Sequence, residues 1–251
     1  EKYLRQCIEG FVKQKTTFQF EVLIHDDAST DSTAHIIREY QRKYPEIIKP
    51  IFQEENQHKK GKCLPDIYRE FIYPRVTGKY IAYCEGDDFW EDENKLQLQF
   101  EVMESHPECN LCLHKVRTTA ENGELAEETY PSVSVAEGWI EQEAFLKGLT
   151  DGKFFHTSSF MCRTEMIREL CREVPIFYQI SYVDDVPLLL YAGYRGGIYY
   201  IDKEMTRYRR NSIGSWTENR AKDINRIIAS KKEIIQMYEY YDLYTDHRFS
   251  S

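Results

Sequence analysis

An α/β fold built on a mostly parallel sheet with helices on both faces is what this sequence predicts, and three observations predict it. Short apolar runs alternate along the chain with segments of helical periodicity, the pattern of strand-helix-strand units. Two of those runs end in paired acids, Asp26-Asp27 and Asp87-Asp88, which suits strands that deliver side chains to the carboxyl edge of an open sheet. With 251 residues and 41% hydrophobic content, the chain can also bury a large core, as one catalytic-size domain alone or with a helical appendage.

The elements follow in order. Phe20 to Asp26 reads as a buried strand, and Asp31-Ser32-Thr33 then caps a helix whose Ile36, Ile37, Tyr40 and Tyr44 share a face. Ile47 to Gln53 is the next strand, followed by a polar loop, Glu54 to Lys62, and a helix through Ile67, Phe71 and Ile72 that Pro74 helps to end. Lys79 to Cys84 is a third strand running straight into Glu85-Gly86-Asp87-Asp88. Leu96, Phe100 and Met103 recur at helical spacing, and Asn110 to Thr118 is extended. Ala120 to Ser134 lacks apolar periodicity and reads as a solvated loop or hairpin connection. Beyond it come a helix near Ile140 to Lys147, a strand around Ser158 to Cys162 and a helix from Thr164 to Cys171. A helix over Val186 to Ala192 has Pro187 near its first turn, where a missing donor costs little. Gly196-Gly197 precedes a strand at Ile198 to Ile201, and Ile224, Ile227, Ile228, Ile234 and Ile235 mark a last amphipathic helix.

A net charge of -9 argues against nucleic acid as a partner, because phosphate contacts need concentrated Lys and Arg. No apolar run approaches the length of a spanning helix, and the first residues lack the order of a signal peptide. A cytoplasmic protein with no transmembrane segment is expected, with peripheral membrane association left open. Seven cysteines are an odd number and read as reduced thiols; Cys109 and Cys112 form a CxxC with no second pair to complete a zinc site.

A pair of carboxylates after Gly86 can chelate a hard divalent ion that also grips two phosphate oxygens. The competing reading is an acidic turn capping the next helix. His156-Thr157-Ser158-Ser159 either lines a substrate with hydroxyls or merely starts a strand. Asp184 or Asp185 suits the N-cap of the helix that follows.

Two longer segments resemble one known family. His25-Asp26-Asp27-Ala28-Ser29-Thr30-Asp31-Ser32-Thr33 is similar to the "DDxSxDxT" segment of family-2 inverting glycosyltransferases. Gly78 to Trp90, reading GKYIAYCEGDDFW, resembles their "GxYIxxxDxDDxW" segment, in the same order and at about the family's spacing. The resemblance runs from Glu1 to roughly Trp216, strongest through Met103.

It implies a GT-A, Rossmann-like fold, a nucleotide-diphosphate-sugar donor with UDP-sugars foremost, Mg²⁺ or Mn²⁺, and a glycan or lipid-linked acceptor. Carried over by position, Asp27 would bond the donor base, Asp87 the donor's ribose or sugar, and Asp88 the metal. Glu85 stands where the family has the first acid of its DxD. Lys62 is the candidate basic contact to the nucleotide, set against a solvated charge run. Asp185 falls at the position of the catalytic base. Tyr208 to Ser215 resembles a late "YR...GxS" loop, in which Arg209 would either pair with phosphate or be a surface cation.

One departure matters. The family's central first strand has no counterpart here, since Glu1-Lys2-Tyr3-Leu4 resembles the helix that follows it; either the chain is truncated at its start or the sheet is rearranged. The expected organisation is a GT-A domain over 1–216, with a nucleotide-sugar half, 1–115, and an acceptor half, 116–216, then a helical extension, 217–251. Glycosyl transfer is the leading expectation, with a non-catalytic glycan- or nucleotide-binding remnant as the alternative.

Overall fold

The computed structural model describes residues 1–150, 155–181, 183–210, 212 and 224–248, with backbone alone at 150 and 224–230. The readings made above at Asn211, Ile213 to Ser215 and the side chains of Ile224, Ile227 and Ile228 lie outside the described residues. So does the expected boundary at 216.

The chain opens with α1 (Leu4–Val12), whose Leu4, Cys7, Ile8 and Phe11 are buried, an i, i+3, i+4, i+7 stripe that must face a core. Then come β1 (Val22–Asp26), α2 (Thr33–Lys43), β2 (Ile48–Phe52) and α3 (Leu64–Ile67). A π-helical turn at Tyr68–Ile72 and a 3-10 turn at Tyr73–Arg75 continue α3, because Pro74 cannot donate to a regular helix. β3 (Tyr80–Ala82), β4 (Phe89–Trp90), α4 (Lys95–Ser105), β5 (Leu111–Thr119), β6 (Leu125–Tyr130) and β7 (Gly138–Ile140) follow. The last described elements are α5 (Gln142–Thr150), a 3-10 turn at Thr157–Ser159, β8 (Met161–Arg163), α6 (Thr164–Glu173), α7 (Ile176–Gln179), α8 (Asp185–Arg195), β9 (Ile198–Arg209) and α9 (Ile224–Tyr244).

The strands form a parallel pair, β1 with β2, and a seven-stranded sheet in the order β3-β8-β5-β9-β4, with β6 on β5 and β7 on β9. The expectation of a mostly parallel sheet is corrected. Within the larger sheet only β5 and β9 pair parallel, and the other described pairings are antiparallel. Two features of the chain cause this. Gly123, at φ +87, makes the tight turn that folds β6 back onto β5. The short β8 inserts between β3 and β5 against both.

β9 is three times the length expected from Ile198 to Ile201, because its polar second half, Asp202–Arg209, keeps pairing with β5 through two register shifts. Apolar periodicity cannot reveal a strand whose far end is held by backbone bonds among polar side chains. The largest core cluster joins Leu111 and Leu113 of β5 to Phe160, Ile167, Leu189, Tyr191 and Tyr200. Cys109 and Cys112 lie in a second apolar cluster with Phe11, Trp90 and Met103. α1 presses on β4 so closely that a Cβ on Gly10 would stand 2.6 Å from the Trp90 carbonyl oxygen. Glycine is required there by contact rather than by turn geometry.

Among the described residues β1 is bonded only to β2, and β3 only to β8. Between them lies a cavity of about 820 Å³ lined by both strands.

Candidate active site

Glu85-Gly86-Asp87-Asp88 leaves the carboxyl end of β3 in a tight turn, with the Asp88 N–H donating to the Glu85 carbonyl at 3.1 Å. β4 then pairs antiparallel with the end of β9, Phe89 opposite Arg207. That pairing brings the Arg209 N–H to Asp88 Oδ1 at 3.0 Å. Asp88 is 1% exposed, and its Oδ2 has no hydrogen-bond partner among the described residues. A buried oxygen of this kind costs about 1–3 kcal/mol when unsatisfied, and more if charged.

The nearest basic atom to that oxygen is His156 Nδ1, at 3.6 Å. His156 precedes the 3-10 turn and is held by the Ser158 hydroxyl at 2.9 Å. Its ring packs on Tyr208 with centroids 4.1 Å apart. Burial drives the imidazole pKa down to about 3, so it is neutral at physiological pH, and its Nδ1 accepts from the Ser158 N–H at 3.3 Å. Glu85, Asp88 and His156 each present a ligand atom, all within 4.8 Å of one another. Desolvation, and then Asp185 and Asp87 as neighbouring charges, push the Glu85 carboxyl up to about 7, although its side chain opens onto the cavity. Asp88 is raised well above the usual carboxylate range by burial, then by Glu85 and Asp87.

Asp87 turns to the other side, where its Oδ2 accepts from the Ser212 hydroxyl at 2.6 Å. Asp27 lies across the cavity, beyond the end of β1, and both residues line it. The Asp27 carboxylate accepts from the backbone N–H groups of Gln57 at 2.7 Å and His58 at 3.1 Å. It therefore pins the loop whose charge run stood out in the sequence. Lys62 is not brought to the acids: it pairs with Glu70 and lies over the Phe71 ring, 5.6 Å from its centroid.

At the start of α8 the two adjacent acids part. Asp184 is buried and accepts from the Tyr178 hydroxyl at 2.8 Å and the Tyr73 hydroxyl at 3.4 Å. Burial raises the pKa of Asp185, and its charge in turn raises that of Glu85. Asp185 Oδ1 accepts from the Val186 N–H at 2.7 Å.

Two residues mattered in ways the sequence did not reveal. In the sequence His156 stands only in a polar run, because nothing in the chain signals that this loop returns to Asp88. Arg209, expected at the surface or on a phosphate, is buried. It donates to the Asp87 carbonyl at 3.0 Å, the Glu121 carbonyl at 3.1 Å and Gln6 Oε1 at 2.7 Å. The guanidinium thus braces the acidic turn against α1.

The sequence profile of glycosyl transferase family 2 matches residues 1–171, which include the acidic turn and His156. The chain belongs to that family. An uncharacterised protein of Mycobacterium tuberculosis (strain ATCC 25618 / H37Rv) is 32% identical over 222 residues, covering 86% of this chain and 57% of its own length. The chain thus spans little more than half of that relative. Among solved structures, Staphylococcus aureus TarS matches at TM-score 0.59 and 18% identity over 83% of this chain and 34% of its own. GalNAc-T7, solved with UDP, GalNAc and Mn²⁺, matches at TM-score 0.58 and 12% identity over 84% of this chain and 41% of its own. At such identities these two show the fold alone, and the fold of this family-2 chain is GT-A. Among the described residues no helix is long and apolar enough to cross a membrane.

Proposed function

We propose that this chain transfers a glycosyl residue, with inversion, from a nucleotide-diphosphate sugar to a glycan or lipid-linked glycan acceptor, assisted by a divalent cation. The observation that carries the reading is the orphaned Asp88 Oδ2, buried and 3.6 Å from a neutral imidazole. Two carboxylates and one imidazole fit a divalent ion, and that mixed donor set suits Mn²⁺ better than Mg²⁺, which favours all-oxygen surroundings. Asp88, Glu85 and His156 would hold it. A cation there offsets the charge that develops on the leaving diphosphate.

The chain's own residues do the rest. Asp185 takes the proton from the acceptor hydroxyl as that oxygen bonds to the anomeric carbon. The bond from that carbon to the diphosphate breaks, and the nucleoside diphosphate carries away the electron pair. A base with a raised pKa is suited to this step near neutral pH. Asp184, fixed by two tyrosines, anchors the start of α8 next to Asp185. On the donor side, Asp27 and Asp87 flank the cavity mouth and are assigned to the base and to the ribose or sugar. Each Asp27 oxygen keeps a lone pair beyond the bond it already accepts. Lys62 reaches the nucleotide only by leaving Glu70. Residues 1–115 form the donor half and 116–216 the acceptor half in this reading, with UDP-sugars as the first donors to try.

The test is release of nucleoside diphosphate from a panel of nucleotide sugars with Mn²⁺, with and without oligosaccharide acceptors. Acceptor-dependent release that disappears in Asp88→Asn supports the reading. Nucleotide binding with no release under any condition would instead favour a binding remnant.

A further inference from the structure

Among the largest fully buried side chains described, Lys95 alone is charged. Burial lowers its pKa, and no carboxylate among the described residues offsets this. A buried ammonium without a counter-charge is costly to keep, so its bonds must explain it. It donates to Gln99 Oε1 at 2.7 Å and lies 4.2 Å from the centre of the Trp90 ring. A lysine has only hydrogens to give, so the Gln99 amide oxygen faces Lys95 and the nitrogen faces away. That nitrogen donates to two carbonyls, Cys112 in β5 at 2.9 Å and Ser159 at 2.8 Å. With its oxygen and both hydrogens engaged, the amide has a single orientation.

Ser159 closes the 3-10 turn that follows His156. Its N–H and its hydroxyl both donate to the His156 carbonyl, at 2.9 and 2.7 Å. The neighbouring Ser158 carbonyl accepts from the Thr206 hydroxyl at 3.3 Å. The turn thus hangs on two fully buried donors, Thr206 from β9 and Gln99 from α4. The Lys95 ammonium also touches the other arm of the acidic cluster, since Trp90, whose ring lies on it, follows Asp88 by two residues.

We propose that Lys95 and Gln99 are positioning residues of the candidate cation site: Lys95 locks the Gln99 amide, and Gln99 holds the 3-10 turn at the height that sets His156 against Asp88. This rests on the function proposed above, through the metal assigned to Asp88, Glu85 and His156. Packing alone does not account for the pair, because apolar side chains would fill the same space with no charge to desolvate. The carbonyls of Cys112 and Ser159 need donors at this depth, and a side-chain amide supplies two hydrogens from one neutral group. Its oxygen then needs a donor in turn, which Lys95 provides. A buried network satisfied at every member admits one arrangement of the segments it joins.

The test uses the full chain carrying Lys95→Met, which removes the donor while keeping an unbranched side chain, with Gln99→Met beside it. In metal-free Lys95→Met, NMR exchange of the Ser159 amide hydrogen should quicken at least about tenfold through local opening of the turn, while the Leu190 amide within α8 does not quicken. Mn²⁺ affinity, read from the free-ion EPR signal, should fall by roughly 10–100-fold in either variant, the range for a residue that acts on a metal through its ligand. In a His156→Ala background Lys95→Met should cost nothing further, because the side chain it positions is gone. Equal losses in both backgrounds would mean a general loosening and overturn the proposal. So would Ser159 exchange that stays at the parent rate, or Mn²⁺ affinity that does not move. No Mn²⁺ binding by the parent chain, or binding that survives Asp88→Asn, would instead strike the cation site itself; Ser159 exchange, which needs no metal, then decides alone whether Lys95 and Gln99 hold the turn.

Discussion

Asp88 Oδ2 stands buried and unpartnered 3.6 Å from His156 Nδ1, and Asp88 is fixed on its other oxygen by the backbone of Arg209. One oxygen of the carboxylate is thus held by backbone while the other faces the neutral imidazole. Titrating Mn²⁺ into the protein and reading the free-ion EPR signal should show binding that His156→Ala weakens. The loss should exceed the roughly 10–100-fold typical of removing an outer-shell partner. Mg²⁺ binding, read by competition, should suffer less, because an imidazole is a poorer partner for Mg²⁺.

Asp185→Asn keeps shape and some hydrogen bonding while removing basicity. Transfer should fall by roughly 10²–10⁴, with donor affinity spared. Steady-state kinetics beside calorimetric donor binding checks both halves. Parent-rate transfer in this variant would reduce Asp185 to the cap of α8.

Asp184 gives a stability signature. Burial, the leading cause, and then the Asp185 charge raise its pKa from 3.8 to about 7, against the lowering effect of its tyrosine donors. Between those values the folded state holds a proton that the unfolded chain has released. Its stabilising contribution is therefore full below the unfolded pKa and is lost as pH rises towards about 7. Urea midpoints from pH 4 to 7 should fall, and Asp184→Asn should flatten the slope by up to about 1.4 kcal/mol per pH unit. An unchanged slope would contradict this assignment.

Lys95 runs the opposite way. It is fully buried, donates to Gln99 Oε1 at 2.7 Å and lies 4.2 Å over Trp90. Burial lowers its pKa from 10.5 to about 7. Across that window the unfolded chain binds more protons, so stability rises with pH. Lys95→Met should remove this rise and stabilise the protein at pH 7 by about 1–4 kcal/mol, within the range seen when buried charge gives way to apolar groups. Chemical denaturation at pH 7 and 9.5 measures it.

The local units were legible from the sequence where one physical signal dominated. The strand before Asp26, the helix from Thr164 and the helix from Asp185 declared themselves by apolar runs, periodicity and caps. The pairing of strands was not legible, because β8 inserts between β3 and β5 through backbone bonds that leave no pattern in side chains. The acidic turn could be named from Glu85 to Asp88, but its partners could not. His156 and Arg209 reach it by tertiary return of distant segments, and Lys62 was diverted by Glu70, whose proximity depends on how α3 passes into its π-helical turn.

The most direct test of the central claim is calorimetry of UDP binding to the full chain at pH 7.5 with Mn²⁺ and again in excess chelator. The acidic turn from Glu85 to Asp88 and the diphosphate repel each other unless a cation lies between them. With Mn²⁺ the titration should give a binding isotherm that vanishes in chelator and in Asp88→Asn. Binding that is equally tight in chelator would contradict that claim.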